Sequence, residues 1–224
     1  MKEIIVHSVP GSPFGRAVLA TLEEKALPYR FSVLGPQDMR SPRHFSLHPF
    51  GRVPILQHGE FVVYETQAIL RYLDRLTATP ALTPADPQGA ARMDQLMNIN
   101  DWYLFQNAGA VIGFQRVVGP VLLGLPTDEA AIAAALPKAQ QAVEEIARLL
   151  GTRQFLAADA PTLADLAIAP QLDFLASTPE WPALIRSHDE LARWLDRMNA
   201  RASMQATTWE RVVQMARAPL QRAS

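Results

Sequence analysis

The first 80 residues alternate short apolar runs with stretches whose apolar residues recur at helical spacing. The connection His58-Gly59-Glu60 between two of the apolar runs is typical of a hairpin. About a dozen residues separate the first two runs, which is the spacing that a helical crossover between parallel strands needs. The pattern predicts strands at residues 4–7, 29–33, 53–57 and 61–64, and helices at residues 17–26, 41–47 and 68–76.

This order, βαβαββα, predicts a small mixed sheet with helices on both faces, which is the thioredoxin-like arrangement. Three prolines between residues 77 and 89 fit neither a helix nor a central strand and predict a linker. The apolar residues that follow recur at helical spacing to the end of the chain. We therefore expect an α/β domain at residues 1–78, a linker at 79–88 and an all-α bundle domain at 89–224.

Composition narrows the classes of function. The formal net charge is −1 and the basic residues are scattered, so we expect no nucleic-acid partner. No run approaches the roughly 20 apolar residues of a membrane span, and the start lacks a signal sequence, so we expect a cytoplasmic protein with no membrane partner. The chain has no cysteine and its histidines have no metal-site spacing, so we expect no metal and no protein thiol nucleophile.

Four motifs stand at the ends of predicted elements: Ser12-Pro13-Phe14, Pro49-Phe50-Gly51-Arg52-Val53-Pro54, Glu65-Thr66-Gln67-Ala68-Ile69 and Ala160-Pro161-Thr162-Leu163-Ala164-Asp165. In their order and spacing, these motifs resemble the cytosolic glutathione transferase family over essentially the whole chain. The resemblance implies a detoxification enzyme, a glutathione S-transferase with glutathione as co-substrate. It also implies a homodimer in which each first domain touches the partner's second.

Ser12 is the candidate catalytic residue. A hydroxyl at the start of a helix, with the helix dipole behind it, can donate a hydrogen bond to a thiolate. Lowering a thiol pKa by about 2 units requires about 2.7 kcal/mol, and one charge-assisted hydrogen bond supplies about 1.5–3 kcal/mol. The family's Ser-type members carry serine at this position, and the resemblance is to bacterial-type members. Ser8 is the reserve candidate, and a purely capping role for Ser12 is the structural alternative.

The other expected glutathione contacts come from the second and third motifs. An X-Pro bond before a strand can be cis, which would turn the Val53 backbone outward to pair with a peptide-like ligand, and the resemblance implies a cis Val53-Pro54 bond. Thr66 is the expected N-cap of the next helix, and the resemblance implies that Glu65 and Thr66 hold the γ-glutamyl group. His44 and Arg52 are the expected partners of the glycyl carboxylate.

The second domain is expected to supply a site for a small hydrophobic electrophile. Its candidate residues are Tyr103, Phe105, Asn107 and Phe114, together with Phe14 of the first domain; each could instead be core. Gly113, Gly119, Pro120 and Gly124 interrupt the helical pattern there and predict a mobile rim. Thr162-x-x-Asp165 predicts a structural capping box.

Three questions stay open at this stage. The Pro-Phe-Gly loop and His44 are phi-like, whereas Ser-x-x-x-Arg-Ala-Val is theta-like. A binding or interaction module without turnover would keep the same first-domain residues. So would a glutathione-dependent peroxidase, isomerase or dehalogenase.

Overall fold

A computed structural model describes residues 2–217 of the 224-residue chain. Its sheet has four strands in the order β2-β1-β3-β4, with β1 and β2 parallel and the other neighbours antiparallel. Apolar side chains from β1 and β3, including Ile4, Val6 and Leu56, are buried and form the centre of this core. The strands are β1 (Ile4–Ser8), β2 (Arg30–Val33), β3 (Ile55–His58) and β4 (Phe61–Tyr64).

Three helices join these strands and give the predicted order βαβαββα. Serines start the first two: Ser12 and Ser41 each accept a hydrogen bond from the backbone N–H three residues on, and a proline follows each serine. The third helix buries Ile69 and Leu73 on one face. A 3₁₀ turn (Asp38–Arg40) precedes the second helix. The helices are α1 (Pro13–Glu24), α2 (Pro42–Leu47) and α3 (Thr66–Leu76).

The chain divides into two compact units. Ala81–Ala200 forms one of them, and the other combines the residues up to Pro80 with those from Arg201 onward. The second unit is helical: α4 (Pro87–Ile99), a π-helix (Asn100–Leu122), α5 (Glu129–Leu150), α6 (Leu163–Leu175), α7 (Trp181–Ile185) and α8 (Asp189–Asn199). The prediction of a thioredoxin-like α/β domain and an all-α domain is confirmed.

The predicted interruption of the helix at Gly113, Gly119 and Pro120 is wrong, since the π-helix runs through all three. At Gly124 the prediction holds, because the helix ends at Leu122 and Gly124 has φ +65°. Gly113 lies where an added Cβ would come within 2.3 Å of the Phe174 ring on α6. Close packing of two helices, rather than a break, therefore accounts for this glycine.

The predicted capping box is confirmed and is larger than expected. The buried Asp165 carboxylate accepts hydrogen bonds from the N–H and the hydroxyl of Thr162 at 2.8 and 2.7 Å. It also accepts from the Leu156 N–H at 2.9 Å and from the Trp194 indole N–H at 2.8 Å. One carboxylate thus joins the start of α6 to α8 and to the preceding loop.

Two C-terminal helices, α9 (Ala202–Ala206) and α10 (Trp209–Arg217), belong to the first unit. Arg201 donates two hydrogen bonds to Glu24 of α1, at 2.7 and 2.9 Å, and Ser203 donates a third at 2.6 Å. Within residues 2–217, no helix has the length and apolar character of a membrane span. Across the same residues, no group of three or more His, Cys, Asp or Glu side chains could hold a metal ion.

Candidate active site

The register of the sheet brings the candidate residues of the first unit to one end of it. His7 of β1 lies opposite Ile55 of β3, so the chain after β1 lies beside the chain before β3. Ile55 in turn lies opposite Tyr64 of β4, so the chain after β4 starts at the same end. Val53-Pro54 directly precedes β3, Glu65-Thr66 directly follows β4, and Ser12 follows β1 after three residues. Three separate motifs therefore meet at one edge of the fold.

A tight turn links β1 to Ser12. The Ser12 N–H donates to the Val9 carbonyl at 3.2 Å, with Pro10 and Gly11 in the two central positions and Gly11 at φ +84°. This is a type II turn, which favours proline first and requires a left-handed φ second. The turn sets Ser12 at the start of α1.

Ser12 is the N-cap of α1, as expected. Its Oγ accepts from the Gly15 N–H at 3.1 Å, and its carbonyl accepts from the Arg16 N–H at 2.8 Å. A hydroxyl that accepts one bond still carries a proton to donate. The capping role and a thiolate-stabilising role are thus compatible in one side chain. The amides of Gly15 and Arg16 are used within the helix, whereas the hydroxyl proton of Ser12 is a donor that a ligand can take.

Ser8, the reserve candidate, lies beneath the same helix start. Its side chain is fully buried, and its Oγ has no hydrogen-bond partner within residues 2–217. A Cβ added to Gly15 would come within 2.3 Å of that Oγ. Ser12, in contrast, is half-buried. The structure therefore favours Ser12 over Ser8 as the hydroxyl that a ligand can reach.

The Val53-Pro54 peptide bond is cis, as predicted. Val53 is half-buried and lies just before β3, and Pro54 is buried. Within residues 2–217, the N–H and C=O of Val53 make no backbone hydrogen bond. Both groups can therefore pair with a peptide-like ligand.

Glu65, not Thr66, is the N-cap of α3, so the predicted capping role of Thr66 is wrong. Thr66 is the first helical residue, and the Ile69 N–H donates to the Glu65 carbonyl at 3.0 Å. Glu65 has φ +71° and ψ 116°, a conformation that a side chain with a Cβ adopts only at a cost of roughly 1–3 kcal/mol. The exposed Glu65 carboxylate makes no capping bond to the helix. Strain of this kind is concentrated at ligand-binding positions.

His44 and Arg52 occupy different environments. His44 on α2 is 3% exposed, and its Nε2 is buried without a hydrogen-bond partner within residues 2–217. Arg52 is exposed in the loop before Val53. The Arg52 guanidinium is open to a carboxylate from solvent, whereas His44 Nε2 is a buried group. The role of both residues at the glycyl carboxylate stays a prediction.

An aromatic stack supports the Pro-Phe-Gly loop from beneath. The rings of His48 and Tyr64 stack with centroids 4.5 Å apart, and Phe50 meets Tyr64 edge-on at 6.3 Å. Burial lowers the pKa of His48, Glu65 opposes that shift, and the charges of His44 and Arg52 add to it. The lowered pKa favours the neutral form of His48, and the ring contact with Tyr64 gives it a packing role beneath the loop.

The expected electrophile residues of the second unit all lie on the π-helix. Tyr103 is 62% exposed, and the Asn107 side-chain amide donates to the Tyr103 carbonyl at 2.9 Å. Phe105 and Phe114 are half-buried and pack near Gly109 and Gly119 respectively. The contact of these four residues with an electrophile stays a prediction. In the first unit, Phe14 is half-buried in the first turn of α1.

Residues 11–76 match the family model described as glutathione S-transferase, N-terminal domain, and residues 129–197 match glutathione S-transferase, C-terminal domain. A glutathione S-transferase of Hyoscyamus muticus is 30% identical over 193 residues, which are 84% of this chain and 90% of the relative. The chain belongs to the glutathione S-transferase family.

Two solved glutathione S-transferases have the same fold. The apo form of glutathione S-transferase III is 27% identical, covers 97% of this chain and 98% of its own, and has a TM-score of 0.81. Glutathione S-transferase-I, bound with lactoylglutathione, is 25% identical, covers 95% of this chain and 99% of its own, and has a TM-score of 0.80. The predictions of a glutathione S-transferase enzyme and of glutathione as co-substrate are confirmed.

Gly15 was not recognised as a site residue from the sequence of this glutathione S-transferase family member. Its closeness to Ser8 is what lets the start of α1 lie directly over the end of β1. The sequence did carry a signal: a glycine stands in the first turn of a helix, where neither a turn nor a positive φ requires it. Such a glycine indicates a close approach of another part of the chain.

Proposed function

We propose that this chain is a Ser-type glutathione transferase in which Ser12 donates a hydrogen bond to the glutathione thiolate, which then attacks a small hydrophobic electrophile. The meeting of Ser12, Val53-Pro54 and Glu65-Thr66 at one end of the sheet is the observation that carries the proposal. Ser12 acts as a hydrogen-bond donor to the anion and not as a nucleophile or base.

The dimensions of the sheet suit a tripeptide. Neighbouring strands are about 4.8 Å apart, so two steps from β1 across β3 to β4 span about 10 Å. Three residues in extended conformation span about 10 Å. In the proposed pose the cysteinyl backbone pairs with Val53, while Glu65 and the first amides of α3 hold the γ-glutamyl ammonium and carboxylate. The glycyl carboxylate lies near Arg52, with His44 beneath the same loop.

Lowering the thiol pKa supplies a nucleophile at neutral pH. A free thiol has a pKa near 8.5, so roughly 3% of it is ionised at pH 7. A shift of about 2 units, equivalent to about 2.7 kcal/mol, makes the thiolate the main species. One charge-assisted hydrogen bond from Ser12, with the dipole of α1, is of this size. Holding both reactants in one orientation accounts for the rest of the acceleration.

For the electrophile, we propose contacts from Phe14 of the first unit and from Tyr103, Phe105, Asn107 and Phe114 of the second. The finer assignments follow the sequence resemblance: a phi-like or theta-like, bacterial-type enzyme that acts in the cytoplasm in detoxification, as a homodimer. Phe50 is 69% exposed on the first unit, and a second subunit would cover this apolar side chain in the proposed homodimer. Light scattering of the purified protein measures the subunit number.

The thiolate absorbance of bound glutathione, titrated with pH in the ultraviolet, tests the proposal. Wild type and Ser8→Ala are expected to ionise the bound thiol well below pH 8.5, whereas Ser12→Ala loses most of the shift. Ser8→Ala is the matched control because it removes a buried hydroxyl from the same helix start. Binding without a shift in wild type would leave a binding module without turnover. Three rates, namely conjugation to aryl halides, peroxide reduction with oxidation of glutathione, and halide release from haloalkanes, separate transferase from peroxidase and dehalogenase activity.

A further inference from the structure

The first unit carries an aromatic contact to the Ser12 turn that the proposed mechanism does not use. Trp209, the first residue of α10, packs its indole ring against Gly11. A Cβ placed on Gly11 would lie only 1.6 Å from the indole Cζ3 and 2.4 Å from Cε3. The ring thus fills the space that a side chain at position 11 would take. Gly11 precedes Ser12 directly and supplies the left-handed φ of the type II turn.

The C-terminal segment is anchored on both sides of this contact. On one side, Arg201 and Ser203 bind Glu24 of α1, and the Arg16 guanidinium donates to the Met204 carbonyl at 3.2 Å. On the other side, α10 packs against β2 and its Val212 side chain is 4% exposed. These contacts hold the backbone on both sides of Trp209 without involving Gly11. The indole, 47% exposed, covers Gly11 from one side and limits where the turn can move.

We propose that Trp209 is a positioning residue for the Ser12 hydroxyl. By packing on Gly11, the indole holds the turn of residues 9–12 in the conformation that places Ser12 Oγ at the start of α1. Within residues 2–217, the backbone hydrogen bond that closes the turn runs from the Ser12 N–H to the Val9 carbonyl, and Pro10 and Gly11 lie between these two residues. Without the indole, glycine at position 11 can adopt several conformations and carry Ser12 with it. The proposal rests on the proposed function, since it assigns Trp209 to the placement of the same hydroxyl.

The test compares Trp209→Ala, Trp209→Phe and Val212→Ala in the full chain. Val212→Ala is the matched control because it weakens the packing of α10 without touching Gly11. Two readouts are measured: the pKa of the thiol in bound glutathione, and the Kd of S-methylglutathione, which has no thiol to ionise. The Kd reports on folding and on the peptide contacts at Val53 and Glu65.

In Trp209→Ala, we expect the bound-thiol pKa to move toward the free value and kcat/KM at pH 6.5 to fall roughly tenfold, as for a small displacement of a catalytic group. The Kd of S-methylglutathione is expected to change less than about twofold, since its contacts are elsewhere. Trp209→Phe keeps an aromatic ring against Gly11 and should recover most of the shift. Val212→Ala should titrate as wild type.

Three results would overturn the proposal. They are a Trp209→Ala protein that titrates as wild type, a Val212→Ala protein that shifts the thiol pKa as far as Trp209→Ala does, and a Kd of S-methylglutathione that rises in step with the thiol shift. In all three, the wild-type thiol still ionises well below its free value, so the proposed function stands. A wild-type thiol that binds without any shift would instead refute the proposed function, and this inference with it.

Discussion

Gly15→Ala is the substitution whose outcome the packing of the first unit determines most sharply. Replacing glycine by alanine inside a helix normally raises the unfolding free energy by roughly 0.5–1 kcal/mol. Here the new Cβ would come within 2.3 Å of Ser8 Oγ, 3.1 Å of Ser8 Cβ and 3.4 Å of Ser12 Cβ. Inserting a methyl group into a filled space costs about 1–3 kcal/mol. We therefore expect a net loss of about 1–2 kcal/mol of unfolding free energy in place of the usual gain.

Ser8→Ala, alone and combined with Gly15→Ala, tests whether the contact with Ser8 causes this loss. Ser8→Ala removes a buried hydroxyl that has no partner within residues 2–217, so it should leave stability unchanged or raise it by up to about 1 kcal/mol. In the double variant with Gly15→Ala, the closest contact relaxes to the 3.1 Å neighbour. The double variant should therefore be more stable, by about 1 kcal/mol or more, than the sum of the two single effects predicts.

Urea denaturation followed by far-ultraviolet circular dichroism measures these free energies for wild type, both single variants and the double variant. The thiol titration of bound glutathione, run on the same four proteins, reports whether the start of α1 has moved. A Gly15→Ala protein that is more stable than wild type would refute the account, because it would show that α1 does not press on Ser8. Strict additivity of the two substitutions would refute it equally.

Three further predictions concern stability. Asp165→Asn should cost about 2–4 kcal/mol of unfolding free energy, since an amide can no longer accept from all four donors; a loss under about 1 kcal/mol by urea denaturation would contradict this. Burial lowers the pKa of His7 and of His48, so their contribution to stability is full above the unfolded pKa near 6.5 and is lost as pH falls through the lower folded values. Urea midpoints at pH 7.5, 6.5 and 5.5 should fall in wild type and fall less in the variant with both histidines changed to Gln. Glu24→Gln should weaken the attachment of α9 to α1 by about 1 kcal/mol, because it weakens the hydrogen bonds from Arg201. Limited proteolysis should then cut faster after residue 200, while the rate of cutting near Asp165 stays the same.

The period of the apolar residues was enough to predict the order of the elements. The strand at residues 61–64 appears with the predicted bounds, because alternation between two apolar runs leaves one register for a hairpin. Ser12 as the start of α1 was predictable for a similar reason, since serine followed by proline favours a helix start whatever surrounds it. Signals of this kind are local, and local signals can be read from a sequence.

Features that depend on distant neighbours could not be predicted in this way. Gly113 was interpreted as a helix break from its low propensity, whereas contact with Phe174 on another helix explains it. The start of α3 was placed one residue late because threonine is the better N-cap, and the strained φ of Glu65 has no signature in the sequence. Helical spacing likewise predicts a helix around Trp209 but carries no information on which core it packs against.

A crystal structure of the protein with glutathione tests the central claim most directly. The account predicts the sulfur within hydrogen-bond distance of Ser12 Oγ, the cysteinyl backbone paired with Val53, and the γ-glutamyl group against Glu65 and Thr66. A sulfur placed away from Ser12, with the peptide bound elsewhere than at this end of the sheet, would contradict it.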